Sequence, residues 1–187
     1  MKKIQYNAPV VLSFALISLL VLLADFFTAG AANRLLFSVY RSPLSDLGSY
    51  FRLFLHVLGH GNLQHYMNNM LLFLLVGPGL EEKYGSLRLL EAIALTAVVT
   101  GLLHCLLFPH TALLGASGVV FMLIILSSFT GDKNAIPLTL ILVTVLYLGQ
   151  ELVNGIVALD NISQLTHILG GAVGMLCGFV WRKQLRR

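Results

Sequence analysis

The chain has 187 residues, of which 57% are hydrophobic and only 11% are charged, with a formal net charge of +4. Soluble domains contain about 25% charged residues, so this composition excludes a soluble globular protein, and the apolar content excludes disorder. A pI near 9.3 that arises from so few charges does not indicate nucleic-acid binding. The mean hydropathy of +0.86 indicates a polytopic membrane protein in a lipid bilayer. We expect neither a nucleic-acid partner nor a cofactor.

Six apolar segments predict six transmembrane helices in one all-α membrane domain that covers residues 1–187. The predicted helices span approximately residues 10–27, 63–80, 87–108, 117–130, 136–157 and 162–181. Because a span needs about 20 residues, the short fourth helix is expected to begin below the membrane surface. A long connection, residues 28–62, joins the first two helices and is expected to be partly helical, and connections of this length are often functional.

Positive charges indicate how the helices are oriented. With the N-terminus in the cytoplasm, nine of the twelve Lys and Arg residues fall on the cytoplasmic side. The other three, Arg34, Arg41 and Arg52, fall in the outer connection of residues 28–62. Because cytoplasmic loops carry an excess of Lys and Arg, both termini are predicted to be cytoplasmic. The expected location is the plasma membrane, the inner membrane of the cell, with several passes.

Polar side chains inside the predicted spans mark a candidate site, because such residues are costly in a bilayer. His65 and Asn69 lie near the start of the second helix, Ser117 begins the fourth, and His167 lies early in the sixth. These helices all run from outside to inside, so the four residues share the outer half of the membrane. His65 and Asn69 are four residues apart and share a helix face, whereas Asn68 faces away.

The residue types in this group favour a hydrolytic site. Ser117 stands in Gly115-Ala116-Ser117-Gly118, at a loop-to-helix junction that exposes its hydroxyl and free backbone N–H groups. A serine beside a histidine is the minimum for an activated nucleophile with a general base, and Asn and His side chains can donate to an oxyanion. Ser117 alone would be explained as a helix cap, and His167 alone by a hydrogen bond to a backbone carbonyl. The prediction of a hydrolytic site therefore depends on the four residues occurring together.

Small residues follow His167 along the sixth helix. Gly170, Gly174 and Gly178 repeat at a spacing of four residues and start three residues after His167. Such a stripe allows another helix backbone to approach closely. His167 is therefore predicted to face a neighbouring helix.

Several motifs resemble those of the rhomboid intramembrane serine proteases. They are the group His56, His60, His65 and Asn69, the segment Gly115-Ala116-Ser117-Gly118, the segment Thr166-His167-Ile168-Leu169-Gly170-Gly171-Ala172, the pair Phe51-Arg52, and the segment Gly77-Pro78-Gly79-Leu80-Glu81. The resemblance covers about residues 51–179. It implies a compact six-helix core of the bacterial type, without a soluble cytoplasmic domain, and substrates that are transmembrane segments of other proteins.

The resemblance also implies a catalytic role for each candidate residue. Ser117 would be the nucleophile and His167 the general base and later the general acid, which together form a dyad. His65, Asn69 and the backbone N–H of Ser117 would form the oxyanion hole. Phe121 stands where many bacterial rhomboids have a tyrosine stacked on the catalytic histidine, so stacking can persist here without the hydroxyl.

Four further residues would support the site. The resemblance implies that Gly170 and Gly174 permit close packing of the sixth helix on the fourth. Arg52 would tie the first loop, and Glu81 would tie the end of the second helix.

Three alternatives differ from a protease. The first is a catalytically silent rhomboid-like protein that binds membrane proteins, although such a protein would lack the serine or the histidine. The second is a metal or haem protein with His56, His60 and His65 as ligands; His56 and His60 share a helix face, as in zinc sites, but no acidic ligand or HExxH motif accompanies them. The third is a six-helix transporter, for which paired repeats are expected and none is found. The sequence does not indicate an oligomeric state.

Overall fold

The computed structural model describes residues 4–130, 138, 141–142, 145–146 and 161–184. Within these ranges the chain is helical, and its only β-pairing is an isolated antiparallel bridge between Val39 and Leu113. The described helices are α1 (Pro9–Phe27), α2 (Ala31–Leu35), α3 (Leu47–Leu55), α4 (Leu63–Tyr84), α5 (Ser86–Leu107), α6 (Ser117–Ser127) and α7 (Asn161–Gln184). The prediction of an all-α fold is confirmed for these residues.

Three of the described segments are long and apolar enough to cross a membrane, namely Pro9–Phe27, Ser86–Leu107 and Gln164–Trp181. They correspond to the predicted first, third and sixth spans. α4 has 22 residues but includes several polar and charged side chains, and α6 has only 11 residues. The predicted fifth span, residues 136–157, lies outside the described residues apart from isolated positions. The count of six spans therefore stays a prediction.

The second helix ends four residues later than predicted. The predicted helix ends at residue 80, within the segment of residues 77–81 that resembles the end of the family's second helix, but α4 continues to Tyr84. A helix packed in a bundle can continue through a proline such as Pro78 when neighbouring groups satisfy the backbone that the proline disrupts. The helix stops at Gly85, whose φ of +86° is readily available only to glycine. The other boundaries of the described spans lie within three residues of the predicted ones.

α6 forms the centre of the described bundle. It is enclosed by α4, α5 and α7, and its buried side chains are Val119, Val120, Met122, Leu123, Ile125 and Leu126. A helix that is apolar on every side is typical of a buried helix in a membrane protein. Because Ser117 is the first residue of α6, this position brings it into the interior of the bundle.

The start of α1 is fixed to the far end of α4 by Glu81. This buried carboxylate accepts hydrogen bonds from the backbone N–H groups of Val10 and Val11, at 2.9 and 3.0 Å, and from the hydroxyl of Ser86 at 2.7 Å. The first N–H groups of a helix have no partner within the helix, and a negative charge there is favoured by the helix dipole. Glu81 therefore caps α1 and ties it to α4 and α5.

The connection of residues 28–62 is partly helical, as expected. It contains α2, α3 and a 3₁₀ turn at residues 56–58. Its two ends are tied together by the buried side chain of Asn33, which donates to the Asp25 carboxylate at 2.8 Å and to the backbone carbonyl of His60 at 3.0 Å. The segment that leads into α4 is thereby held against the end of α1.

Candidate active site

Ser117 begins α6, directly after a glycine with an unusual backbone conformation. Gly115 has a φ of +124°, a value that strains any other residue. Its backbone N–H donates to the carbonyl of His56 at 2.9 Å, which anchors the loop to the 3₁₀ turn. Ser117 is half-buried. The serine therefore lies at a loop-to-helix junction, as the glycine-flanked segment predicts.

The imidazole of His65 lies against this junction. A β-carbon on Gly115 would be 2.7 Å from Cε1 of His65 and 2.8 Å from its Nε2, so a side chain at position 115 would displace the imidazole. His65 is in the first turn of α4, and its backbone N–H is capped by the side chain of Asn62 at 2.8 Å. The cap sets the start of α4, and with it the position of the His65 ring beside the loop that precedes Ser117.

Asn69 lies one turn further along α4, on the same face as His65. It is buried, whereas Asn68 is exposed and accepts a hydrogen bond from Gln64 at 2.7 Å. The predicted helical phase is therefore confirmed. Within the described part of the chain, the Nδ2 group of Asn69 has no hydrogen-bond partner. Because nearly all buried donors in proteins are paired, a buried N–H group of this kind is suited to an external acceptor.

His167 approaches α6 from the neighbouring helix α7. Its ring stacks on Phe121, with centroids 4.0 Å apart and the planes 8° from parallel. Phe121 is one turn after Ser117, and the preceding residue of α7, Thr166, lies against Gly118 of α6. His167 therefore lies beside the first turn of α6. It is also close enough to His65 for the two side chains to interact electrostatically.

The glycine stripe of α7 lies on its contact face with α6. A β-carbon on Gly170 would overlap the carbonyl oxygen of Gly118 and lie 2.8 Å from its carbonyl carbon. One on Gly174 would overlap the carbonyl oxygen of Met122 and lie 3.1 Å from its carbonyl carbon. Gly171, by contrast, has room for a β-carbon at 3.6 Å from its nearest neighbour. The backbones of the two helices are therefore in direct contact along the face that carries His167, as the stripe predicts.

Two histidines that were weighed as metal ligands support the site through other contacts. The Nε2 of His56 donates to the carbonyl of Ala97 at 3.0 Å, and the Nδ1 of His60 donates to the carbonyl of Leu58 at 3.1 Å. The ring of His60 also packs edge-to-face on His65, at 5.1 Å between centroids. Among the described residues, no three His, Cys, Asp or Glu side chains are arranged to hold a metal ion.

These supporting contacts could not be found from the sequence. His56 and His60 lie about 60 residues before the serine, and the contact of His56 with the serine loop runs through its backbone carbonyl, which carries no sequence signal. The ring nitrogen of His104 likewise bonds the carbonyl of Thr111 at 3.1 Å and anchors the loop that precedes Ser117.

Arg52 organises the segment before α3. Its buried guanidinium pairs with Asp46, donates to the hydroxyl of Ser42 at 2.9 Å, and lies 4.4 Å above the ring of Tyr40. The hydrogen bond from Arg52 holds the pKa of the Asp46 carboxylate below its usual value. These contacts join residues within the connection of residues 28–62 and stabilise its structure. All of these residues are far from Ser117 in the sequence.

Comparison with known proteins identifies one family. The family described as the Rhomboid domain matches residues 47–184 of the chain, and so includes α3 to α7. The chain is also similar to RHOMBOID-like protein 4 of Arabidopsis thaliana, with 31% identity over 129 residues, or 65% of the chain and 31% of that protein. It is similar to Rhomboid-related protein 1 of Caenorhabditis elegans, with 31% identity over 144 residues, or 71% of the chain and 40% of that protein. The matched region thus spans less than half of either relative.

Proposed function

The chain belongs to the rhomboid family, and from that membership and the geometry of the site we propose that it is an intramembrane serine endopeptidase with a Ser117–His167 dyad. The observation that carries the proposal is the position of His167, which stacks on Phe121 beside the first turn of α6. Ser117 begins this turn, which supports a pairing in which the imidazole of His167 acts as its general base.

The proposed reaction proceeds through a covalent intermediate. The Ser117 hydroxyl oxygen attacks the carbonyl carbon of the scissile peptide bond while His167 accepts the hydroxyl proton. His167 then gives this proton to the leaving amine, the C–N bond breaks, and an acyl-enzyme remains. A water molecule, activated by His167, hydrolyses the ester and releases the carboxylate product and the free serine.

We propose that the negative charge on the tetrahedral intermediate is stabilised by His65, Asn69 and the backbone N–H of Ser117. The unpartnered Nδ2 of Asn69 supports this role, because a donor without a partner in the described structure is available for an oxyanion. The contact of His65 with Gly115 supports it as well, since this contact holds the imidazole beside the serine loop.

We also propose the supporting roles that the resemblance implies. The stack of Phe121 on His167 would orient the imidazole without a tyrosine hydroxyl. Gly170 and Gly174 would hold α7 against α6, while Arg52 and Glu81 would stabilise the outer connection and the start of α1.

The proposed substrates are transmembrane segments of other membrane proteins. Backbone hydrogen bonds within a membrane helix protect its peptide bonds from attack, so we expect cleavage where Gly, Pro or polar residues weaken the helix and a small residue precedes the cut. The proposal includes six spans with both termini in the cytoplasm, in the plasma membrane.

Cleavage in reconstituted vesicles tests the function. The purified chain is incubated with a model transmembrane substrate, and the variants Ser117→Ala and His167→Ala are compared with Ser127→Ala, a second serine of α6. We expect the first two variants to lose cleavage and the third to keep it. Substrate binding by the wild type without any cleavage would instead identify a catalytically silent binding protein.

A further inference from the structure

A cleft lies between the connection of residues 28–62 and the last turns of α5, away from the candidate catalytic residues. Its volume is about 760 Å³, within the range of small-molecule sites. The side chains of Leu53 on α3 and of Leu102 and Leu106 on α5 form its apolar part. Leu106 is 70% exposed, so the cleft is open towards the surroundings of the bundle.

Another part of the cleft lining is polar and carries a positive charge. It is lined by Arg41, Ser42, Ser49 and Tyr50. Within the described part of the chain, Arg41 has no carboxylate at ion-pair distance, because the one ion pair found there joins Arg52 to Asp46. The hydroxyls of Ser42, Ser49 and Tyr50 already donate to backbone carbonyls. The cleft thus combines an apolar wall with one uncompensated guanidinium.

The apolar side chains around the cleft indicate that lipid surrounds it. α3 exposes Leu47, Tyr50, Phe51 and Phe54, which are between 47% and 74% exposed. Their spacing places them on one face of the helix. No described part of the chain covers this face, and α5 is itself a candidate membrane span that ends at Leu107. The cleft is therefore at the end of a span, where aromatic side chains and lipid headgroups meet.

The walls of the cleft are held in place by contacts already present. Tyr40 packs against the guanidinium of Arg52, which pairs with Asp46. Val39 forms two backbone hydrogen bonds of 2.9 Å with Leu113, in the loop that leads to Ser117. A ligand would therefore bind a cleft whose shape exists beforehand, which lowers the entropic cost of binding.

From these observations we propose that the cleft binds one anionic phospholipid of the surrounding bilayer. The phosphodiester lies against Arg41, and the guanidinium donates to its oxygens. One acyl chain follows the apolar wall of Leu102 and Leu106 along α5. A guanidinium forms charge-assisted hydrogen bonds with phosphate, and the uncompensated charge of Arg41 favours a lipid with net negative charge over a zwitterionic one. The site does not depend on the proposed protease activity.

Competition between two lipids tests the charge preference. The full chain in detergent is mixed with equal amounts of phosphatidylglycerol and phosphatidylcholine, and native mass spectrometry measures which lipid is retained. We expect a preference of about fivefold for phosphatidylglycerol, as for one basic residue at a membrane surface. The preference should disappear in Arg41→Gln and persist in Arg34→Gln, which removes an exposed arginine of α2 outside the cleft.

A second measurement locates the acyl chain. In the double variant Leu106→Trp and Trp181→Phe, the only tryptophan lies in the cleft, and bromine atoms on an acyl chain quench its fluorescence on contact. In phosphatidylcholine vesicles, brominated phosphatidylglycerol should quench more strongly than brominated phosphatidylcholine at the same fraction, and Arg41→Gln should remove the difference. Equal retention of both lipids by the wild type, or equal quenching by both brominated lipids, would overturn the proposal. A preference for phosphatidylglycerol that survives in Arg41→Gln, in either experiment, would overturn it as well.

Discussion

Replacing Gly170 with Ala tests whether the contact between α6 and α7 sets the geometry of the site. The new β-carbon would lie 2.8 Å from the carbonyl carbon of Gly118. Packed heavy atoms are about 3.5–4.0 Å apart, and the carbonyl oxygen of Gly118 is closer still, so the helices would have to separate by at least about 1 Å. Displacement of a catalytic group by about 1 Å can lower the rate by roughly 100-fold, and overpacking of this kind costs about 1–3 kcal/mol of stability.

Gly171→Ala is the matched control. A β-carbon there lies 3.6 Å from Ile125, which is ordinary contact. Alanine is favoured over glycine in a helix by about 1 kcal/mol, so this variant should be as stable as the wild type or more stable, with its activity kept. The assay combines the initial rate of cleavage of a model transmembrane substrate with thermal unfolding in detergent. If Gly170→Ala were as active and as stable as Gly171→Ala, the packing argument would be refuted.

Three further predictions concern other contacts. Asn69→Ala should slow cleavage by roughly 10- to 1,000-fold, while Asn68→Ala should leave the rate unchanged; the opposite order would contradict the assignment of the oxyanion donor. Glu81→Ala should lower the free energy of unfolding by about 1–3 kcal/mol, because it leaves buried N–H groups at the start of α1 without an acceptor, and equal loss in the exposed control Glu82→Ala would argue against this capping. Because the pKa of Asp46 is lowered in the folded protein, its ion pair with Arg52 stabilises the fold fully above pH 3.8, the pKa of an unperturbed aspartate. This stabilisation is lost as the pH falls through the lower pKa of the folded state. Thermal unfolding of the wild type and Asp46→Asn should therefore differ at neutral pH and converge in acid; a difference that persists in acid would contradict the sign.

Local periodicity allowed much of the site to be predicted. Residues four apart share a helix face, so the inward position of Asn69 and the outward position of Asn68 followed from their spacing to His65. The contact face of α7 followed in the same way from Gly170 and Gly174. These predictions depend only on the geometry of a single helix.

Contacts between distant segments could not be predicted in this way. The hydrogen bond from Gly115 to the carbonyl of His56 joins two backbone groups whose positions depend on the whole bundle. The end of α4 was also placed four residues early, because the apolar segment stops where the charged residues 81–83 begin. In the structure the helix continues through them, and Glu81 is buried with its charge satisfied at the start of α1. The packing of His60 on His65 depends on the 3₁₀ turn before α4, for which the sequence has no regular pattern.

The most direct test of the proposed dyad is covalent labelling of Ser117. A fluorophosphonate probe reacts with a serine only when a neighbouring base activates its hydroxyl. After incubation with the purified protein, mass spectrometry of its peptides should find the adduct on Ser117 in the wild type. His167→Ala, confirmed as folded by its thermal unfolding, should remain unlabelled. An adduct on a different serine, or labelling of Ser117 that is equal with and without His167, would contradict the dyad.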